Sequence, residues 1–174
     1  MIYVDSYQSP LGKITLAGTE QTLIGLWFEK QAFFADTLPE SHEEKETSLF
    51  QDSKRWLDMY FSGKVPDFTP PLQLQTTPFR KAVWEIVLSI PYGETMTYGD
   101  IACKIASQRG IARMSAQAVG NAVGKNSISL IIPCHRVVGQ NGNLTGYAGG
   151  IDRKLSLLAL EKVDLSRFYV PKSP

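Results

Sequence analysis

Thr97-Tyr98-Gly99-Asp100-Ile101-Ala102, followed after a loop by Ser115-Ala116-Gln117-Ala118-Val119-Gly120, is the stretch whose reading decides the fold. Thr97 with Asp100 three residues on has the pattern of a capping box, and Ile101, Ala102, Ile105 and Ala106 continue it at helical spacing. Residues 107–110 read as a loop, and Ser115 caps a further helix over residues 116–123. Helix, turn and small-residue helix together predict a helix-turn-helix. The second helix is nearly bare on one side, with Ala116, Ala118, Gly120, Ala122 and Gly124. Glycine inside a helix costs roughly 0.5–1 kcal/mol relative to alanine, so something compensates. Either another surface approaches closely, or a neighbouring helix packs tightly.

Upstream, Thr77 caps and Pro78 opens a helix whose apolar stripe is Phe79, Val83, Ile86, Val87 and Ile90, and Pro91-Tyr92-Gly93 ends it. Before it, Val65-Pro66-Asp67-Phe68-Thr69-Pro70-Pro71 reads as an extended linker. The front of the chain is of another kind. Residues 2–7 alternate, Ser9-Pro10-Leu11-Gly12 is a turn, and residues 13–17 and 23–28 are β-like, which predicts a small antiparallel meander. Residues 36–47 are acidic and read as a loop or an exposed helix start. Trp56, Leu57, Tyr60 and Phe61 then recur at helical spacing.

Downstream of the helix-turn-helix, Ser129-Leu130-Ile131-Ile132 reads as a short buried strand running into Pro133-Cys134-His135-Arg136-Val137-Val138. Gln140-Asn141-Gly142-Asn143 has turn composition, residues 145–150 form a flexible loop, and residues 151–161 a final amphipathic helix carrying Leu155, Leu158 and Leu160. The expected fold is α/β of the α+β kind. A small N-terminal β-sheet domain over residues 1–71 ends in the proline-rich linker. A mostly helical, winged-helix-like helix-turn-helix domain carrying Cys134 covers residues 72–165, and residues 166–174 form a tail.

Over 174 residues, hydrophobic residues make up 43% and charged residues 20%, so the chain can bury a core. No apolar run is long enough to cross a bilayer, and the N-terminus lacks the basic and apolar regions of a signal peptide. Two cysteines, Cys103 and Cys134, exclude a disulfide framework, and no cluster has zinc-site spacing. These features fit a cytoplasmic protein in a reducing compartment. The net charge of +1 hides an asymmetry: residues 1–76 hold six Lys/Arg against eleven Asp/Glu, and residues 77–174 hold twelve against six. A basic rear half suits a polyanion, although two solvated faces of different charge would read the same way.

A thiol is a nucleophile only as thiolate, so a reactive cysteine needs a base or positive charge nearby. Cys134 follows a proline and precedes His135 and Arg136. In a regular strand Cys134 and His135 would point to opposite faces, so pairing them requires a turn at that point. Glu161 on the last helix could orient the imidazole. Taken alone, a cysteine ending an apolar run is also a common core residue.

Pro133-Cys134-His135-Arg136-Val137 resembles the signature of the methylated-DNA–protein-cysteine methyltransferases, the O6-alkylguanine-DNA alkyltransferases. The resemblance runs in order through Thr77-Pro78-Phe79, Val83-Trp84, Ile90-Pro91-Tyr92-Gly93-Glu94 and Thr97-Tyr98. It continues with residues 116–120, Asn126, the signature, Gly146-Tyr147-Ala148-Gly149-Gly150 and Glu161. The front half matches more loosely and lends no site.

The resemblance implies irreversible, single-use transfer of methyl or a larger alkyl group from O6 of guanine, and O4 of thymine, in DNA to Cys134. In that family's terms His135, through a bridging water, takes the thiol proton, and Glu161 orients His135. Asn126 ties the recognition helix to the active-site segment, and Tyr98 donates a hydrogen bond to the extruded purine. Tyr147, Ala148 and Gly149 close over the base, and Val137 lines the pocket and offers its carbonyl to the exocyclic amine. Contacts to DNA are implied from Ser115, Ala116, Gln117, Ala118, Gly120, Lys125 and Arg136. The implied partner is double-stranded DNA containing an alkylated base, bound through the minor groove by a monomer with low sequence specificity. No membrane partner, metal or cofactor is implied. In particular S-adenosylmethionine is not expected, since DNA donates the alkyl group and no Gly-rich dinucleotide fingerprint is present.

One position departs from the family, which commonly places an arginine in the recognition helix where this chain has Gln117. The loop over residues 107–114 is also a few residues long. Competing readings are a cysteine hydrolase, which would turn over without DNA, and a helix-turn-helix regulator, which would read a defined sequence.

Overall fold

A computed structural model describes residues 1–144 and 146–171. Thr145 of the expected loop and residues 172–174 of the expected tail lie outside the described residues. The chain divides into two compact units, Met1–Gln75 with Ser127–Ile131, and Thr76–Asn126 with Ile132–Pro174. The division thus falls after Gln75 rather than after residue 71, and the tail counts with the second unit.

In the first unit β1 (Tyr3–Ser9), β2 (Gly12–Gly18) and β3 (Leu23–Phe28) form the expected antiparallel meander, with Tyr3 opposite Gly18 and Ile14 opposite Phe28. The β1–β2 turn is closed by the Ser9 hydroxyl, which donates to the Gly12 carbonyl at 2.6 Å. β3 is buried at every position, so it reads as a continuous apolar run and not as an alternation. Val4, Ala17, Ile24 and Trp27 form one cluster, with Ile2, Ala35 and Leu38 packed against it. Residues expected as an acidic loop include β4 (Glu43–Glu44), which pairs in parallel with β1. Helix α1 (Ser48–Phe61) is capped by Thr47, buries Leu49, Phe50, Trp56, Leu57 and Tyr60, and is tied to β1 by Tyr7 Oη donating to Asp58 at 2.6 Å.

Residues Ser127–Ile131 also belong to this unit, and they are not a strand. The Leu26 N–H donates to Ser127 O at 2.8 Å and the Ser129 N–H to Leu26 O at 2.9 Å, so β3 supplies their main-chain partners. The Ile131 N–H then donates to Ser129 O at 2.8 Å around Leu130, whose φ is +70. This is the rarer and more strained form of γ-turn. An apolar run of this length cannot distinguish strand from buried turn, because both bury every side chain.

In the second unit α2 (Pro78–Leu88) starts at Thr77 and Pro78 as expected. β5 (Met96–Thr97) leads into α3 (Tyr98–Arg109), which carries a complete capping box between Thr97 and Asp100 and ends at Gly110 with φ +65. Ser115 caps α4 (Ala116–Gly124), and β6 (Val137–Val138) and α5 (Ile151–Leu160) follow. The Trp84 indole N–H donates to Ala122 O at 2.8 Å. The inner face of α4, with Val119, Ala122 and Val123, therefore packs against its neighbours. Ala116 and Gly120 lie on the other face, which remains open.

Candidate active site

Two tight turns aim Cys134. The Cys134 N–H donates to Ile132 O at 2.8 Å around Pro133, whose φ of −82 and ψ of 67 are those of an inverse γ-turn. A single turn of 3-10 helix then spans Cys134–Arg136, which is the departure from a strand that a Cys–His pairing required. Immediately after it, β6 pairs in parallel with β5, Val137 opposite Met96 and Val138 opposite Thr97. That pairing brings the start of α3, and so Tyr98, beside the cysteine segment.

Asn126, just beyond α4, donates through Nδ2 to Ile132 O at 2.9 Å and to Cys134 Sγ at 2.8 Å, and Sγ lies 3.5 Å from Val123 O. The thiol is only 4% exposed. Burial pushes it up to about 12, against the opposing pull of the Asn126 hydrogen bond and the Lys154 charge. At neutral pH the sulfur is a protonated thiol that needs a proton acceptor before it can attack.

Glu161 is the hub behind it. Its Oε2 meets His135 Nε2 at 2.5 Å, and Arg136 binds both oxygens, Nε to Oε1 at 2.8 Å and Nη2 to Oε2 at 3.1 Å. The Gly93 N–H donates to Oε1 at 2.9 Å. Burial would raise this carboxyl, but the hydrogen bonds from His135 and Arg136, with the Arg136 charge, outweigh it and hold it down at about 2. His135 is fully buried, and burial, aided by the Arg136 and Lys154 charges, lowers its basicity against the opposing pull of Glu161, so the imidazole is neutral. With Nε2–H directed at the carboxylate, a neutral ring carries its lone pair on Nδ1.

A cavity of about 560 Å³ opens beside this cluster, lined by Tyr98, Gly99, Ala116, Gln117, Gly120, Asn121, Gln140 and Gly146. The open face of α4 is one wall, and a Cβ added to Gly120 would lie 3.8 Å from the Tyr98 ring. Tyr98 Oη donates to Gly146 O at 3.5 Å, and burial first, then the nearby Cys134, pushes the phenol up to about 12. Tyr147 is buried, edge-on to His135 with centroids 6.4 Å apart, and a Cβ on Gly149 would meet the Tyr147 ring at 2.5 Å. Ala148 is half-buried between them.

The structure brings Cys134, His135, Glu161, Asn126 and Val137 into one buried cluster and puts Tyr98 and Tyr147 at its border. Ser115, Ala116 and Gln117 are exposed, and Ala118, Gly120 and Lys125 are half-buried. Arg136 is placed differently from a DNA contact. Its guanidinium is buried, bonded to Glu161 and to Ile90 O at 2.8 Å, and stacked 5.6 Å from the Tyr92 ring centroid. Cys103, expected in the core, is exposed, because α3 buries Ile101, Ala102, Ile105 and Ala106 and turns position 103 outward.

Lys154 was missed. It is fully buried, its Nζ donates to Val137 O at 2.5 Å, and burial lowers it to about 8. The Val137 carbonyl expected to meet a base is therefore held by an ammonium. The signal was available: Lys154 stands three and four residues before Leu157 and Leu158, the residues α5 buries.

A helix-turn-helix unit whose open helix faces a cavity, beside a buried Cys–Asn and His–Glu–Arg network, defines a DNA-directed protein with cysteine chemistry. Two family models match the chain: the 6-O-methylguanine DNA methyltransferase ribonuclease-like domain over residues 2–74, and the DNA-binding domain of the same methyltransferases over residues 78–163. Relatives named methylated-DNA–protein-cysteine methyltransferase include that of Methanosarcina barkeri, 43% identical over 94% of this chain and 99% of the relative. That of Mycobacterium tuberculosis is 42% identical over 93% of each chain. The crystal structure of Mycobacterium tuberculosis OGT in complex with DNA matches at a TM-score of 0.78 with 41% identity, covering 95% of this chain and 94% of that one. The chain belongs to the methylated-DNA–protein-cysteine methyltransferase family.

Proposed function

We propose that this protein repairs duplex DNA directly, by moving the alkyl group of an O6-alkylguanine, and of O4-alkylthymine, onto Cys134. The observation that carries this reading is one continuous arrangement. Asn126 holds the Cys134 sulfur, His135 stands next in sequence on Glu161, and a cavity of about 560 Å³ lies at the border.

O6 sits within the base stack, so the nucleotide must be extruded, at a cost of a few kcal/mol that is lower for a weakly paired, damaged base. The minor groove lies against the open face of Ala116 and Gly120, with Ser115, Ala118 and Lys125 flanking it. Such contact tracks groove shape and is tolerant of sequence. Gln117 fills the space the base leaves. Neutral His135 takes the Cys134 proton through water, and Glu161 stabilises the imidazolium that forms. The sulfur displaces the purine at the alkyl carbon, so an S–C bond forms as the C–O6 bond breaks. Tyr98, a full phenol at neutral pH, supplies a proton to the leaving purine. Tyr147, Ala148 and Gly149 close over the base.

A thioether does not leave again, so each molecule acts once, as a monomer. Its compartment is the cytoplasm, where a free thiol persists. No helix among the described residues is long and apolar enough to cross a membrane.

Intact-protein mass spectrometry after incubation with a duplex holding one O6-methylguanine tests this. One added methyl per molecule on Cys134, absent in Cys134→Ala, is expected. Multiple turnovers, or a bound lesion with no adduct, would refute it.

A further inference from the structure

The chain does not end its work at Glu161. Beyond α5, Asp164 caps a turn of 3-10 helix at Leu165–Arg167, and the chain then lies along the turn over residues 139–144. The Tyr169 N–H donates to Gly142 O at 2.9 Å, and the Leu144 N–H donates to Tyr169 O at 2.9 Å, a parallel bridge centred on Asn143. Leu165 and Phe168 pack on the buried cluster of Val138, Leu144, Leu158 and Val163. The fit is close: a Cβ on Gly142, whose φ is +83, would lie 2.1 Å from Arg167 O.

The strapped turn is not remote from the cavity. Gln140, at its start, and Gly146, two residues past Leu144, are both cavity wall, together with Tyr98 and α4, and Gly146 O accepts from Tyr98 Oη at 3.5 Å. Among the described residues the turn's own closure is two main-chain hydrogen bonds, the Gly139 N–H to Asn143 O at 2.7 Å and the Asn143 N–H to Gln140 O at 3.2 Å. A short loop with so little internal bonding opens at low free energy unless something outside it adds contacts.

We propose that residues 164–169 are a positioning strap: by pairing with Gly142 and Leu144 they fix the Gln140 and Gly146 wall, and so set how tightly the cavity holds the base and which alkyl groups it admits. This rests on the repair reading above. Without the strap the wall relaxes outward. A small methyl lesion then loses alignment with the sulfur, whereas a bulky benzyl lesion gains the room it lacked. Misalignment of reacting atoms is costly even when the displaced group is far from the chemistry.

Tyr169→Pro is the direct probe. It deletes the N–H given to Gly142 but leaves the packing of Leu165 and Phe168, and the Tyr169 side chain is 52% exposed. Phe168, at φ −121 and ψ 156, already has the extended backbone that a following proline demands. Tyr169→Ala, which keeps the N–H, is the control. Single-turnover rates are measured on duplexes carrying O6-methylguanine or O6-benzylguanine, with affinity for undamaged duplex measured alongside.

For Tyr169→Pro, the methyl rate should fall about fivefold, the equivalent of one lost hydrogen bond. The benzyl rate should fall less, so that the benzyl-to-methyl ratio rises, with duplex affinity unchanged. Equal rates in Tyr169→Pro and wild type, or an equal fall on both lesions that tracks a fall in thermal stability, would overturn the strap. Should Tyr169→Pro not fold, Gly142→Ala reads the same ratio by pushing Arg167 away from the turn. The wild-type arm keeps the two readings separate. No adduct on wild-type Cys134 defeats the repair reading, whereas normal wild-type transfer with an unchanged ratio in the variants defeats the strap alone.

Discussion

The two units of this chain place their charges differently. In the first, no ion pair among the described residues is fully buried: Lys54 meets Asp5 at 2.7 Å, a half-buried pair, and Glu46 at 3.3 Å, while Lys45 with Glu20 at 3.7 Å and Arg55 with Asp52 at 3.4 Å are exposed. Its buried polar side chains, such as Ser9, Gln31, Thr47 and Ser53, are neutral. In the second, His135, Arg136, Lys154 and Glu161 are all buried, as is Cys134. Charges removed from water are costly unless fully partnered, and apolar residues of similar volume would serve stability as well or better. The first unit follows that rule. The second departs from it around the buried Cys134 thiol, and perturbed ionisable groups concentrate where chemistry is done.

The largest effect expected from this contrast is on Glu161. Glu161→Gln leaves Arg136 buried beside a neutral amide and removes the partner of His135. It should cost about 3–5 kcal/mol in urea unfolding, with loss of methyl transfer. A cost below about 1 kcal/mol would mean that the buried network resembles the surface pairs after all.

Next comes acid. Glu161 sits at about 2 in the folded protein and in the usual carboxylate range when unfolded, so as pH falls the unfolded chain binds the proton first. The stability it contributes is complete above the usual carboxylate range and drains away as pH drops toward about 2, a loss on the order of 2–3 kcal/mol. Unfolding curves between pH 6 and pH 3 should steepen in wild type and flatten in Glu161→Gln. Parallel curves would locate the acid sensitivity elsewhere.

Lys154→Met sharpens the comparison by separating stability from reactivity. Relief of a buried charge offsets the orphaned Val137 carbonyl, so unfolding should stay within about 1 kcal/mol of wild type. The thiol loses a cation that favours its ionised form, and iodoacetamide should label Cys134 about three- to tenfold more slowly. Unchanged labelling would remove Lys154 from the cysteine's electrostatics. The smallest effect belongs to the first unit. Lys54→Ala breaks both of its solvent-reaching pairs and should cost about 1 kcal/mol or less, with methyl transfer untouched.

Much of this was legible locally. The Thr97–Asp100 capping box, the Thr77-Pro78 start and the Ser115 cap are read within four residues, because a cap's partners are its own neighbours in sequence. The antiparallel meander followed from alternation and a proline-bearing turn. The pairing of Cys134 with a turn instead of a strand was legible as a requirement, and the proline before it supplied the means. Of the α5 stripe Leu155, Leu158 and Leu160, Leu158 is buried as expected, but the buried face is centred on Lys154, Leu157 and Leu158. Leu155 and Leu160 are only half-buried, while Lys154 and Leu157 face inward.

By itself, the sequence determined most of the helices, their caps and the family, and singled out Cys134 as the candidate nucleophile, all carried by residues close together in the chain or in fixed order along it. Only the tertiary structure decided that Arg136 serves Glu161, that Lys154 holds Val137, that Cys103 faces out, and that residues 129–132 turn rather than extend. The reason is physical. A cap or a helical stripe is fixed by interactions a few residues apart. The fate of a charge or an apolar run is fixed by which distant group meets it, and the partners here stand 17 to 25 residues apart or further.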